Sequence, residues 1–324
     1  MHSLDTLRML IEVSGGFINS HAHFDRAYTA NTSDFETDKV NAHLFEKWEL
    51  VNEFKQNATE ERYYRHITQA IYNQVKMGVV GGVTFIDCDP ISGDRALKAA
   101  LRAQFEWQDK FTLRLACQTL QGVLDDEAQR LFLEHAPKFD IIGGLPRRDE
   151  GREAEHLDLL LQVAKRHGKR VHVHVDQLNS AEERETELLA RKTIEHGMEG
   201  KVTAVHAISL AAHPRQYRRE VYKICRDAGL SFVACPTAWI DHRRSEALSP
   251  THNAITPVDE LIPEGLVVAI GSDNISDVYK PFADGDMFVE LRFLLEATHF
   301  YDIEELVKIA TVNGKKVAGI QDPW

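Results

Sequence analysis

Short runs rich in β-branched residues recur along this chain, and the longer stretches between them carry apolar residues at three- and four-residue spacing. The short runs are "GGFINS" (15–20), "VTFIDC" (83–88), "TLRLAC" (112–117), "IIGGLP" (141–146), "VHVHVD" (171–176), "VTAVHA" (202–207), "SFVACP" (231–236) and "VVAIGSD" (267–273). The spacing between them predicts helices over 60–77, 94–109, 126–136, 153–167, 183–197 and 214–228. A short helical stretch follows near 257–262, and the last two helices are predicted over 283–299 and 303–317. Strands alternating with helices argue for parallel strands joined by crossovers. Eight such units match an α/β fold of the (β/α)8 TIM-barrel type in number and order. Residues 29–56, between the first strand and its helix, are too many for a plain connection and predict a loop with a short helix over the barrel mouth. No linker, repeat or low-complexity tract interrupts the pattern, so one domain is expected over 1–324.

Composition narrows the partners. With 324 residues and 43% hydrophobic content the chain can bury a large core. A net charge of −12, with no lysine- or arginine-rich run to offset it, repels phosphate backbones and anionic lipid heads. No nucleic acid and no membrane are therefore expected among the partners; self-association into a homo-oligomer is compatible with this composition. The start of the chain has acidic residues inside its only apolar stretch, and no run approaches the ~20 apolar residues of a membrane span, so a cytoplasmic location is expected. The four cysteines form no C-x-x-C pair, and Cys88, Cys117 and Cys235 close apolar runs where small thiols pack.

In a barrel of this kind the C-terminal ends of the strands face the active site. His21 and His23 follow the first predicted strand, His174 lies in the fifth, His206 ends the sixth and Asp273 ends the eighth. With 16 histidines in the chain, chance gives roughly one His-x-His pair, so that motif alone is weak. Four histidines and an aspartate at the matching ends of four strands are a stronger signal. Alternation along a strand lets His21 and His23 reach one ion while Ala22 faces the wall, and puts His172 one layer below His174. Imidazoles and a carboxylate suit zinc, iron or manganese, with a position left open for water. His206 would serve as ligand or as acid–base group, and His172 as a structural histidine.

The segments "FINSHAHFD", "VHVHVDQ", "VTAVHA" and "GSDN" resemble, in order and strand position, those of the amidohydrolase superfamily, and the chain looks most like its cytosine deaminase branch. The resemblance implies one divalent ion per chain, zinc foremost, with iron and manganese as alternatives, held by His21, His23, His174 and Asp273. A bridging lysine marks the dinuclear members on strand 4, and "IIGGLPRR" has none. It further implies hydrolysis of a non-peptide C–N bond. The ion lowers the pKa of water, Asp273 takes a proton from it, and His206 stabilises the charge that develops as hydroxide attacks an sp² carbon.

Three positions depart from cytosine deaminase. Gln177 replaces the glutamate that shuttles protons to the ring nitrogen, Asn274 replaces an acidic residue, and the pyrimidine-contacting glutamine of strand 3 aligns with Leu120, beside Gln121. The expected substrate is therefore a small cyclic or N-substituted heterocyclic amide or amidine rather than cytosine. A cytosine- or pterin-type deaminase, or a non-catalytic ligand-binding member, are the alternatives. Arg147 and Arg148 after strand 4, with Arg243 and Arg244 after strand 7, are candidates for a clamp on a substrate carboxylate. Members of the family usually add a small β-sandwich from both chain ends, and the resemblance here covers the barrel without it.

Overall fold

All eight apolar runs form strands in a computed structural model of the chain, which describes residues 3–30, 39, 42–240 and 254–321. They are β1 (Phe17–Ala22), β2 (Val79–Asp87), β3 (Thr112–Gln118), β4 (Ile141–Gly144), β5 (Arg170–Val175), β6 (Val202–His206), β7 (Ser231–Ala234) and β8 (Val267–Ile270). Each pairs in parallel with the next in chain order. The ring is drawn together where β8 returns to β1: Ala22 bridges Asp273, and the Asp273 N–H donates to the His21 carbonyl at 2.9 Å. Asn19 reinforces this seam from β1, donating to Ser272 Oγ at 2.8 Å and accepting the Ser272 N–H at 3.0 Å. The result is a nearly closed (β/α)8 barrel.

The helices are α1 (Ser3–Val13), α2 (Leu44–Asn57), α3 (Glu60–Lys76), α4 (Arg95–Trp107), α5 (Asp126–His135), α6 (Glu153–His167), α7 (Glu185–Glu195), α8 (Arg215–Asp227), α9 (Val258–Leu261), α10 (Met287–Thr298), α11 (Ile303–Ala310) and α12 (Val312–Ala318). Among the described residues no helix is long and apolar enough to cross a membrane. Thr59 caps α3 through the Arg62 N–H and Asp125 caps α5 through Glu127 and Ala128, each taking up backbone donors that the helix leaves open. All four cysteines are buried as free thiols.

Three elements differ from the periodicity. The N-terminal stretch is a helix, α1, which buries Leu7 and Ile11 four residues apart. The segment over the mouth contains not a short helix but fourteen helical residues, α2. Its apolar stripe of Leu44, Trp48 and Val51 is set among charged residues, and it packs on Leu120, Leu145, Leu178 and Tyr279 from the strand-end loops. The predicted helix over 303–317 divides at Thr311, whose φ of −127° and ψ of −92° turn the chain. That break lets α12 plug the floor of the barrel. Val317 packs there against Val205, Val233 and Ala269, while Ala318 meets Val83, Phe85, Ala116 and Ile141.

Gly271 occupies the seam without room for a side chain: a Cβ there would stand 2.8 Å from the N, O and Cβ of His21. Gly271→Ala is expected to lower stability by about 1–3 kcal/mol, the usual cost of overpacking, because the obstruction is largely backbone. Urea unfolding checks this; an unchanged midpoint would show that the seam can yield.

Candidate active site

β1 ends by turning Ala22 into the layer between strands and helices, while His21 and His23 face the barrel mouth with ring centroids 5.0 Å apart. β5 brings His174 to 4.7 Å from His21 and 5.5 Å from His23. β6 ends on His206, whose ring lies 5.3 Å from His21 and 5.4 Å from His174. Asp273, just past β8, places Oδ1 3.2 Å from the Nε2 atoms of both His21 and His23. Two overlapping sets, His21–His23–His174 and His21–His206–Asp273, each gather their ligand atoms within 4.8 Å of one another. A third set, Asp158, Glu195 and His196, lies at the surface and already has Lys192 as its counter-charge, 2.9 Å from Asp158.

Hydrogen bonding shows what the buried set lacks. A carbonyl can only accept, so the His174 Nδ1 beside the Gly144 oxygen at 3.1 Å carries the proton. The lone pair is then on Nε2, which is buried without a partner among the described residues. Buried polar atoms are rarely left so. A borderline divalent ion fits this lone pair, two further imidazoles and a carboxylate. Burial holds His23 and His174 well below the usual imidazole value and brings His206 down to about 4, which keeps these rings neutral at pH 7. Burial alone would raise the Asp273 carboxyl. Hydrogen bonds from His21 and His23, with His206 nearby, outweigh it and hold the group well below the carboxylate range.

Backbone strain collects on the same residues. His206 and Asp273 adopt φ values of +71° and +58°. Such conformations cost of order 1–3 kcal/mol for residues with a side chain and persist where surrounding structure imposes them. Thr256 Oγ donates to the His206 carbonyl at 2.5 Å, and the bridge to Ala22 holds Asp273. Asn274 fixes the carboxylate further, donating from Nδ2 to Asp273 Oδ2 at 3.0 Å while its Oδ1 accepts from Arg26 Nε at 3.2 Å. Because the guanidinium only donates, Arg26 sets which way the Asn274 amide faces.

Above the cluster opens a narrow cavity. The sequence-predicted residues His23, His174, His206, Asp273, Leu120, Gln177 and Asn274 line it. Gln121 turns away to Asn52, at 2.9 Å. Arg147 and Arg148 sit outside, on a separate pocket that shares Trp48 with this one. Arg148 pairs with Glu49 at 3.2 Å, and the charge of Arg147 acts on the buried Glu183 and Glu185. Arg243 and Arg244 lie outside the described residues. Six lining residues escaped the sequence reading: Arg26, Leu44, Trp48, Gln118, Leu145 and Tyr279. Gln118 was within reach of it, two residues before Leu120 and so on the same side of the strand-3 run.

The turn carrying Gln177 is held by buried carboxylates. Asp176 accepts the Glu185 N–H at 2.8 Å, Glu185 accepts the Asp176 N–H at 3.0 Å, and Glu183 accepts from Leu178 N at 2.7 Å and Ser209 Oγ at 2.6 Å. Burial, with Asp176 nearby, pushes Glu183 up to about 7.

The amidohydrolase family model matches residues 13–323. An uncharacterized protein of Haemophilus influenzae is 46% identical over 253 residues, covering 77% of this chain and 91% of its own. N-isopropylammelide isopropyl amidohydrolase of a Pseudomonas species is 28% identical over 319 residues, covering 95% of this chain and 75% of its own. Among solved structures, 5-methylcytosine deaminase from Klebsiella pneumoniae superposes with a TM-score of 0.87 at 24% identity, covering 95% of this chain and 75% of its own.

A folded-state pKa near 7 for Glu183, against the ordinary 4.5 of a solvated glutamate, gives a defined pH dependence. The folded protein binds the extra proton, so this contribution to stability is complete below pH 4.5 and is lost as pH rises through 7. Glu183→Gln is expected to match wild type at pH 5 and to exceed it by about 1–3 kcal/mol at pH 8 in urea unfolding. Equal differences at both pH values would show that Glu183 ionises freely in the folded state.

Proposed function

The chain belongs to the amidohydrolase family, and on that premise we propose that it hydrolyses a non-peptide C–N bond in a small cyclic or N-substituted heterocyclic amide or amidine. The observation that carries this reading is the unpartnered Nε2 of His174 beside His21, His23 and Asp273, at the base of a narrow cavity. These four residues would hold one divalent ion, zinc first by ligand type, with iron and manganese suited to the same donors. Bound there, the ion would act as a Lewis acid and lower the pKa of water toward neutrality. The single-ion reading is supported by strand 4. Gly143 and Gly144 leave no space, since a Cβ would stand 1.9 Å from the Cys117 carbonyl and 2.2 Å from a Leu160 methyl respectively, and among the described residues no lysine lines the cavity.

The protein groups divide the remaining work. Asp273, ionised and held by Asn274, accepts the proton of the attacking water. His206, neutral and buried at the mouth, donates a hydrogen bond to the oxygen on which charge develops. Leu44, Trp48, Leu120 and Leu145 form apolar walls for a planar ring and limit water around it. Gln177 bonds through an amide and cannot relay a proton, which favours a reaction without ring protonation. Relatives named for acting on N-isopropylammelide and 5-methylcytosine support a nitrogen-bearing ring as the substrate class.

Purified protein is expected to hold close to one divalent ion per chain, and His21→Ala and His174→Ala to lose it. Elemental analysis decides; two tightly held ions, or undiminished metal in both variants, would remove the single-ion site. His206→Asn is expected to keep the ion while lowering kcat about 10²–10³-fold, as for loss of one oxyanion donor. Ammonia and amine release from a panel of heterocyclic amides and amines identifies the substrate, and silence across the panel with metal-loaded protein would count against hydrolysis. Gln177→Glu is expected to leave the native reaction no faster and to raise trace deamination of cytosine. Wild-type deamination of cytosine at roughly 10 s⁻¹ or more would instead establish the deaminase reading.

A further inference from the structure

Arg26 stands in the short turn Phe24–Arg26 that follows β1, 4% exposed, and lines the cavity next to the histidine cluster. Its Nε is taken by Asn274, while Nη1 has no hydrogen-bond partner among the described residues. The nearest carboxylates balance its charge without filling that donor: Asp277 is 3.6 Å from Nε and Asp87 is 3.9 Å from Nη1. A buried guanidinium N–H with no acceptor is costly, and here the open donor belongs to a residue of the cavity wall. Gln118 repeats the pattern with the opposite sense. The residue is 3% exposed, it lines the same cavity, and its Oε1 is an acceptor with no partner among the described residues.

What would satisfy both is a ligand with an oxygen acceptor and an N–H donor. A full anion is a poor match, because Asp25, Asp87 and Asp277 already surround the guanidinium. A neutral carbonyl oxygen needs only the hydrogen bond. We propose that Arg26 receives an exocyclic carbonyl oxygen of the substrate while Gln118 accepts a ring N–H, so that the substrate class is an oxo-substituted, lactam-containing heterocycle. This rests on the reading of the cavity as the active site. It also moves substrate recognition from the arginines after strand 4 to one three residues beyond a metal-ligand candidate.

The test is equilibrium binding to the full-length, metal-loaded protein by calorimetry, with two pairs of rings that differ in oxo or amino substitution: uracil against 2,4-diaminopyrimidine, and cyanuric acid against melamine. Wild type is expected to favour the oxo member in at least one pair. Arg26→Met, compared with wild type at equal metal loading because Arg26 orients the Asn274 amide that holds Asp273, is expected to weaken that oxo member about ten- to a hundred-fold, the range for a charge-assisted hydrogen bond, with the amino member nearly unaffected. Arg26→Lys, which keeps a charge beside Asp87 and Asp277, is the variant to use if the methionine protein does not fold, and a smaller selective loss is expected of it. The proposal is overturned by a wild type with no oxo preference in either pair, or by equal losses for oxo and amino members. Failure of the hydrolytic reading looks different: oxo rings would bind through Arg26 while no C–N compound is turned over.

Discussion

The return of β8 to β1 is the constraint on which the site depends. One backbone hydrogen bond, from Asp273 N–H to the His21 carbonyl, and one bridge, Ala22 to Asp273, place the carboxylate beside the strand-1 histidines. Residues 252 apart in sequence thereby come within 3.2 Å. Closure of a parallel barrel is not local chemistry. It requires all seven earlier strand pairings to be in register, because tilt and stagger accumulate around the ring. The strained φ values at His206 and Asp273 are a local cost of ending strands at the point where their side chains must turn toward a common centre.

Beside that centre lies a buried set of charges that fastens the covering helix. Lys55, fully buried on α2, reaches Asp89 and stands 3.7 Å from Asp87, and Arg95 donates to the carbonyls of Lys55 and Ala58 at 2.9 and 2.7 Å. Burial, modulated by Lys55 and the neighbouring acids, pushes Asp87 up to about 7, and burial against the pull of Arg26 leaves Asp277 at about 6. Such buried charges are a weak source of stability compared with apolar packing of the same volume. Their effect is geometric: they hold α2 so that Leu44 and Trp48 wall the cavity, and they hold Arg26 so that it orients Asn274. The histidine cluster, the cavity wall and the substrate-facing donors are therefore linked through one network.

The floor of the barrel completes the packing. His172, one layer below His174, bonds through Nε2 to the Val317 carbonyl at 3.0 Å, so the chain's last helix is tied to the strand that carries a metal-ligand candidate. Burial brings His172 down to about 3, and it is a neutral structural group. Two histidines on alternate positions of one strand thus do different work, one facing the mouth and one facing the plug.

Periodicity was enough to identify eight parallel strands and their crossover helices, and strand-end position to bring out His21, His23, His174, His206 and Asp273 as candidates, because alternation along a strand and the position of a strand end are properties of the local chain. The helix α2 was not legible at its true length, since Leu44, Trp48 and Val51 are spaced among charged residues whose burial depends on partners far away in sequence. The same holds for Arg26 and Gln118. Nothing adjacent to them distinguishes a cavity-lining donor from a solvated loop charge, whereas Arg147 and Arg148 looked better placed and turned out to face Glu183, Glu185 and Glu49. Local sequence determined which residues could be ligands and on which strands they would lie. Only the closed tertiary structure decided which polar atoms were left without partners, because satisfaction of a buried donor or acceptor is set by every element packed around it and not by its own segment.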